Sequence, residues 1–363
     1  MNQLKVLLVI TGLGMGGAEH VVVNLADALV ELGHKVKIAY LTGSVIVSPK
    51  NTEIELIPIK LDSQNDFIGA YFRLRKVVKK FKPDVVHSHM FHANTLSRLI
   101  RLTVDIPKLV SSSHNTNEGG RLRMLVYRIT DALVNISTNV SQEAVDTFVY
   151  KGAVKSDRMI SVVNGIDTNQ FYFDRESRIT KRKELGISDT NIILAVGRLT
   201  SQKDYYNLLN SIALLKHYRN DFKLLIAGDG ILKTELIALA EKLNIVNYVE
   251  FLGIRRDIPM LMSASDIFVL SSAWEGFGLV VAEAMATERI VVATDCGGVS
   301  EVVGSDGFLI ETGNSPLLAK SLNEALKLND AERSTIGASA RRRIIDNYSL
   351  NANVEAYLEL YNS

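Results

Sequence analysis

Residues 271–283 read SSAWEGFGLVVAE, and they follow the short apolar run Ile267–Leu270. Gly276 and Gly278 interrupt the stretch, so it is no continuous helix. In one helix Glu275 and Glu283 would stand about 80° apart around the axis and about 12 Å apart along it, a poor acid/base pair. The better reading is strand, loop, helix. Glu275 lies on a loop at a strand end, free backbone N–H groups gather around Gly278, Leu279 and Val280, and Glu283 falls in the first helical turns. Bare N–H groups at a helix start bind phosphate, and a carboxylate on each side can accept hydroxyl hydrogen bonds. That combination suits a nucleotide diphosphate bearing a sugar. A solvated loop glutamate plus a surface helix glutamate is the competing reading.

The same alternation of short apolar runs with helix-length segments extends in both directions. One series of strands is expected at Val6–Ile10, Val36–Leu41, Val85–His87, Lys108–Ser112, Leu133–Ser137 and Ile160–Val163. A second is expected at Ile192–Val196, Lys223–Ala227, Val249–Phe251, Ile267–Leu270, Ile290–Ala293 and Phe308–Ile310. Two series imply an α/β protein of two Rossmann-like domains, as the length of 363 residues also suggests. The turn signal Asn164-Gly165-Ile166-Asp167 falls between them, giving domains 1–168 and 169–347, with a helix over 348–363 at the end.

Composition narrows the classes. Residues 1–165 carry 20 Lys+Arg against 14 Asp+Glu, so the first half is basic although the whole chain has a net charge of only +1. A basic half suits an anionic surface or acceptor. Tyr71–Lys82 (YFRLRKVVKKFK) and Arg121–Arg128 (RLRMLVYR) can each form a helix with apolar and cationic faces, able to lie on anionic lipid or to pack as ordinary surface helices. A single cysteine, Cys296, excludes an internal disulfide. The N-terminus runs directly into a strand-like segment, and no apolar run approaches the roughly 20 residues of a membrane span. The expectation is a cytoplasmic protein, in possible peripheral contact with the inner face of a membrane, with no nucleic-acid partner.

Several motifs remain. Gly12-Leu13-Gly14-Met15-Gly16-Gly17 follows the first strand and matches the dinucleotide glycine pattern, but the second strand ends Tyr40-Leu41-Thr42 with no ribose-binding acid. His87, His89 and His92 tempt a metal assignment, yet no carboxylate or cysteine completes a ligand set. They read better as a strand-end loop with His89 or His92, and Asn115 further on, near an acceptor. His114 ends another strand and is either functional or a satisfied, partly buried histidine. Gly197-Arg198-Leu199 followed by Lys203 places two cations after a strand, able to neutralise a diphosphate. No Asp-x-Asp triplet occurs, so no metal is expected to do so.

Taken together these motifs resemble glycosyltransferase family four, whose hallmark is two glutamates separated by seven residues with Gly-Phe-Gly after the first. The resemblance covers nearly the whole chain, in order: the glycine loop, His114, Asn-Gly-Ile-Asp, Arg198 and Lys203, Gly228-Asp229-Gly230, Phe251-Leu252-Gly253, Glu275–Glu283, and Asp295-Cys296-Gly297-Gly298. It implies a GT-B fold, with two Rossmann-like domains facing across a cleft and the last helix crossing back onto the first. It also implies a retaining, metal-independent enzyme with no cofactor, whose substrates are a nucleotide diphosphate sugar and a glycan acceptor. On this reading a hexose or N-acetylhexosamine passes from a donor such as a UDP-sugar to a lipid-linked glycan in O-antigen, capsule or similar polysaccharide assembly.

The roles implied are specific. Gly16, Gly17, Gly228, Asp229, Gly230, Arg255, Ile258, Gly276, Phe277, Gly278, Leu279, Val280 and Glu283 would line the donor, Glu283 taking the ribose hydroxyls. Glu275 would take the sugar hydroxyls, Arg198 and Lys203 the departing diphosphate, and His114 would face the sugar. A catalytically silent nucleotide-sugar binder and a UDP-sugar epimerase of similar architecture are the alternatives.

Overall fold

A computed structural model describes residues 3–61, 63, 66–116 and 118–363. The chain divides into two compact units, one formed by Met1–Gly165 with Leu350–Ser363 and the other by Ile166–Ser349.

The first unit runs β1 (Lys5–Gly12), α1 (Gly17–Glu31), β2 (Lys35–Thr42), β3 (Glu55–Pro58), α2 (Phe67–Phe81), β4 (Val85–His89), α3 (Phe91–Ile100), β5 (Lys108–Ser112), α4 (Arg121–Thr130), β6 (Ile136–Asn139), α5 (Gln142–Tyr150) and β7 (Met159–Ser161). Its seven strands order β3-β2-β1-β4-β5-β6-β7, with every pairing parallel. Strands buried on both faces must be apolar throughout, as Val6 to Ile10 are.

The second unit runs α6 (Arg175–Glu184), β8 (Asn191–Val196), α7 (Tyr205–Leu215), β9 (Phe222–Ala227), α8 (Lys233–Lys242), β10 (Val249–Gly253), α9 (Ile258–Ala264), β11 (Ile267–Leu270), α10 (Leu279–Ala286), β12 (Ile290–Thr294), α11 (Val299–Val303), β13 (Phe308–Ile310), α12 (Ser315–Lys327) and α13 (Asp330–Tyr348). Its sheet orders β10-β9-β8-β11-β12-β13 and is also parallel throughout. In both sheets the winding reverses beside the first strand, between β1 and β4 and between β8 and β11. Open parallel sheets bind ligands at the carboxyl ends of the strands flanking that reversal.

The last helix, α14 (Leu350–Asn362), belongs to the first unit. Val354, Tyr357, Leu358 and Tyr361 recur at helical spacing and share a core with Val22, Leu25 and Leu29 of α1. Each such side chain contributes about 1.5–3 kcal/mol on full burial, enough to hold a helix reached from the other unit.

Beyond shifts of a few residues at strand ends, three differences from the sequence reading have a local cause. Strand β3 was not expected, since its edge position lets Pro58 lack a donor and leaves Glu55 and Pro58 exposed, so it shows no clean apolar run. Asp131–Leu133 forms a 3-10 turn, which delays the next strand to Ile136. The terminal helix begins at Leu350 rather than 348, because α13 occupies Asp330–Tyr348.

Candidate active site

Strands β8 and β11 flank the reversal in the second unit, and the loops leaving them carry the charged motif residues. After β8 the chain turns through Gly197, Arg198 and a 3-10 turn at Ser201–Lys203. After β11 it runs through Ser271, Ser272 and Trp274 to Glu275, then enters α10 behind Gly278, whose φ of +85° is left-handed. Lys203 Nζ lies 2.5 Å from Glu275 Oε1, and Ser272 Oγ donates to the same oxygen at 2.6 Å. Glu275 is buried. Lys203 reaches it by lying over Gly197, where a Cβ would come within 3.1 Å of its Cε. A buried carboxylate is tolerated when paired and hydrogen-bonded. Ser272 and the Tyr205 hydroxyl, which donates to the Gly197 carbonyl at 3.1 Å, complete this arrangement, and sequence reasoning singled out neither. Their spacing to Glu275 and Gly197 is ordinary for loop residues and carries no signal.

Arg198 differs from Lys203. It is exposed, and among the described residues its guanidinium has no hydrogen-bond or ion-pair partner. It lies on the same loop as Lys203, five residues before it. A guanidinium presents paired N–H donors that match a phosphate.

Backbone interlocks fix the same strand ends. The Gly228 N–H donates to Gly253 O at 2.8 Å and the Gly197 N–H to Ala227 O at 3.0 Å. A Cβ on Gly228 would sit 1.9 Å from Gly197 O, so only glycine allows β8 and β9 to close together there. Asp229 accepts from the Gly230 N–H at 2.7 Å and from Lys233 at 3.1 Å, bonds that lower its carboxyl below the usual range. Gly297, with φ +56°, lies under Glu275, and a Cβ would meet the Glu275 carbonyl at 2.0 Å. Gly297→Ala is therefore expected to displace the Glu275 loop and to lower the melting temperature; an unchanged melting curve would contradict this packing.

Glu283 lies on α10, half-buried, and among the described residues its carboxylate takes no hydrogen bond. Burial pushes it up to about 8, partly offset by the Lys203 charge. The folded chain therefore keeps a proton that the unfolded chain releases near 4.5, so stability falls as pH rises from there toward about 8. Glu283→Gln removes that slope, and its melting temperature is expected to overtake the parent's above about pH 8. Parallel slopes would refute the assignment.

Other expected site residues lie differently. Phe277 is buried against Tyr348, ring centroids 5.6 Å apart. The Arg255 guanidinium is held by Asp257 and Glu184, and Ile258 opens α9. In the first unit His89 and His92 do not act together. His89 is fully buried, its Nδ1 lying 3.1 Å from His114 Nε2, while His92 is exposed on α3. His87 is consumed by Tyr361 and Ser112, each at 2.6 Å. Burial lowers the His114 imidazole to about 4, leaving it neutral near pH 7. Asn115 follows it, half-buried. No group of three acidic, His or Cys side chains among the described residues could hold a metal. At the start of α1 the Glu19 carboxylate lies over Gly16, where a Cβ would sit 2.5 Å from Glu19 Oε2. An anion at that helix start makes Gly16 and Gly17 a better match to hydroxyl groups than to phosphate.

Two parallel sheets that each reverse their winding beside the first strand, the second with charged loops at the reversal, define a doubly wound α/β protein. Residues 15–170 match the family described as Glycosyltransferase Family 4, and residues 177–343 match Glycosyl transferases group 1. The two matches together span most of the chain, which carries both of these glycosyltransferase domains and has the GT-B fold. It is 28% identical over 306 residues, 79% of this chain and 77% of that enzyme, to the Escherichia coli UDP-Gal:alpha-D-GlcNAc-diphosphoundecaprenol alpha-1,3-galactosyltransferase. It is 25% identical, over 98% of this chain and 99% of that enzyme, to the Campylobacter jejuni N-acetylgalactosamine-N,N'-diacetylbacillosaminyl-diphospho-undecaprenol 4-alpha-N-acetylgalactosaminyltransferase. Anabaena Alr3699/HepE, solved with UDP and glucose, shares the fold with a TM-score of 0.85 at 20% identity, covering 98% of this chain and 99% of that one.

Proposed function

We propose that this glycosyltransferase moves a hexose or N-acetylhexosamine from a UDP-sugar, with retention of configuration, to a glycan carried on a lipid diphosphate in bacterial polysaccharide assembly. The observation that carries the reading is the exposed Arg198 guanidinium beside the buried Lys203–Glu275 pair, at the ends of the strands that flank the sheet reversal. Arg198 and Lys203 stabilise the departing diphosphate, and Lys203, through its contact with Glu275, also orients that side chain toward the sugar hydroxyls. Glu283 accepts from the ribose. His114, neutral, faces the sugar, a role it takes from the family resemblance. With two cations at the leaving group, no metal is required. The lipid acceptor is supported by the diphosphoundecaprenol acceptors named for the two relatives, and by the basic first unit, which suits peripheral contact with an anionic membrane. No helix among the described residues is long and apolar enough to cross one.

Ribose hydroxyls donate to a carboxylate, so nucleotide binding is expected to expel the Glu283 proton and tighten as pH rises to about 8. Calorimetry of UDP in two buffers of different ionisation enthalpy reads that proton directly. The deciding experiment offers purified protein UDP-, GDP- and ADP-sugars in EDTA, with bacterial membrane extract as acceptor, and follows nucleotide release and the anomeric configuration of the product. Release from a UDP-sugar with an unchanged anomer supports the reading. A requirement for added metal overturns the leaving-group account, and UDP binding without turnover overturns catalysis.

A further inference from the structure

Helix α4 turns a face outward that its own unit does not use. Its buried side is Met124, Tyr127 and Thr130. Leu122, Leu125 and Ile129 are 79%, 54% and 69% exposed, and at 100° per residue they share a ridge about 180° from Tyr127. Arg121 and Arg128, both exposed, run along one side of that ridge, and RLRMLVYRIT contains no acid. An apolar ridge edged by cations and free of carboxylates is complementary to an anionic lipid surface. On the other side of α3, which packs against both helices, α2 repeats the pattern with exposed Ile68, Phe72, Lys76 and Lys79.

The buried side of α4 is wired to the His114 segment. The Tyr127 hydroxyl donates to Glu118 Oε2 in a short hydrogen bond, and the other Glu118 oxygen accepts from the His114 backbone N–H at 3.2 Å. Arg123 Nη1 donates to the Glu118 carbonyl at 2.8 Å while its guanidinium lies 4.8 Å from the Phe91 ring centre. Beneath Tyr127 the fully buried Arg98 sits 5.0 Å from the ring centre. Its guanidinium donates to the Tyr127 carbonyl, Thr130 and Ser137 at 3.2, 3.1 and 2.9 Å. This cation has no carboxylate in contact among the described residues, so its burial depends on the position of α4, and α4 cannot shift without moving Glu118.

We propose that the outward ridge of α4 docks on anionic lipid and that docking is transmitted through Tyr127 and Glu118 to the segment carrying His114. Glu118 is thus a positioning residue, and the site is set when the enzyme reaches the membrane. The inference rests on the lipid-acceptor reading above, but its test needs neither donor nor acceptor.

The test is hydrogen–deuterium exchange of the full chain with vesicles of phosphatidylglycerol and phosphatidylcholine, against vesicles of phosphatidylcholine alone. Anionic vesicles are expected to slow exchange both in α4 and in the peptide containing His114. Leu125→Glu with Ile129→Glu is expected to weaken vesicle binding by roughly tenfold or more. Tyr127→Phe and, separately, Glu118→Gln are expected to keep vesicle binding and α4 protection while losing protection at His114; circular dichroism confirms that each remains folded. Equal binding to neutral vesicles, or none to anionic ones, overturns the docking surface. Protection of α4 with no change at His114 in the parent overturns the wiring. Failure of nucleotide release in the transfer assay would count against catalysis and leave both results standing.

Discussion

Glu275→Ala is expected to lower glycosyl transfer by about 10²–10³-fold, the scale on which a preorganised electrostatic group counts. The fall is expected chiefly in kcat. Glu275 is held by Lys203 at 2.5 Å and Ser272 at 2.6 Å before any donor arrives, so little reorganisation is needed at the reacting sugar. The partner substitution separates function from folding. Lys203→Met leaves the buried Glu275 carboxylate without its cation, and breaking such a pair costs about 3–5 kcal/mol. Lys203→Met with Glu275→Gln removes both charges together, so the double variant is expected to be more stable than Lys203→Met while remaining inactive. Urea unfolding of the four proteins in the cycle measures the coupling. Additive losses would mean that the two charges do not act as a pair, and near-parental turnover in Glu275→Ala would remove Glu275 from the site.

That pairing shows where the sequence was legible and where it was not. The two strand series and the glycine punctuation are local features, so both sheets, apart from the edge strand β3, could be anticipated from apolar runs alone. The charged residues proposed for the site, Arg198, Lys203, Glu275 and Glu283, stand out in the chain because they follow strand-like runs or fall on the helix after one. What could not be read was which of them touch. Lys203 and Glu275 are 72 positions apart, and only the parallel neighbours β8 and β11 bring them into contact, leaving Arg198 exposed. The histidines failed in the opposite way. His87, His89 and His92 look like one cluster in the chain, but β4 ends at His89, so two are locked in the interior and the third is carried outward by α3. Glu118 drew no attention, since a glutamate after two asparagines and a threonine reads as an ordinary loop, and its importance comes from Tyr127 one helix later.

Asp266→Asn is expected to destabilise the second unit strongly. Asp266 occupies the turn between α9 and β11 with its side chain only 9% exposed. One oxygen accepts from Arg178 at 2.6 Å, the other from Arg182 at 3.2 Å and from the Ile192 N–H at 2.8 Å, and Arg333 lies 3.8 Å away. Arg178 also donates to the carbonyls of Ser263, Ala264 and Ser265 at 2.8–3.1 Å, binding the cations to the negative end of α9. Burial alone would push the Asp266 carboxyl up; Arg178, the Ile192 N–H and Arg182 outweigh it and hold it below its ordinary value. Asparagine keeps the shape but leaves these guanidiniums without their anion, at a cost of about 3–5 kcal/mol. The sign of the pH dependence follows. A carboxyl whose folded value is depressed adds stability above its unfolded value near 3.8 and loses it as pH falls through the folded value. The parent is therefore expected to lose stability on acidification into that range, with a smaller loss in Asp266→Asn, so that the two urea midpoints converge at low pH. Midpoints separated by the same interval at pH 7 and in acid would show that the aspartate acts by shape rather than charge. Since β11 delivers Ser271 to Glu275, a loosened α9–β11 turn is also expected to raise the KM for donor before unfolding is detectable.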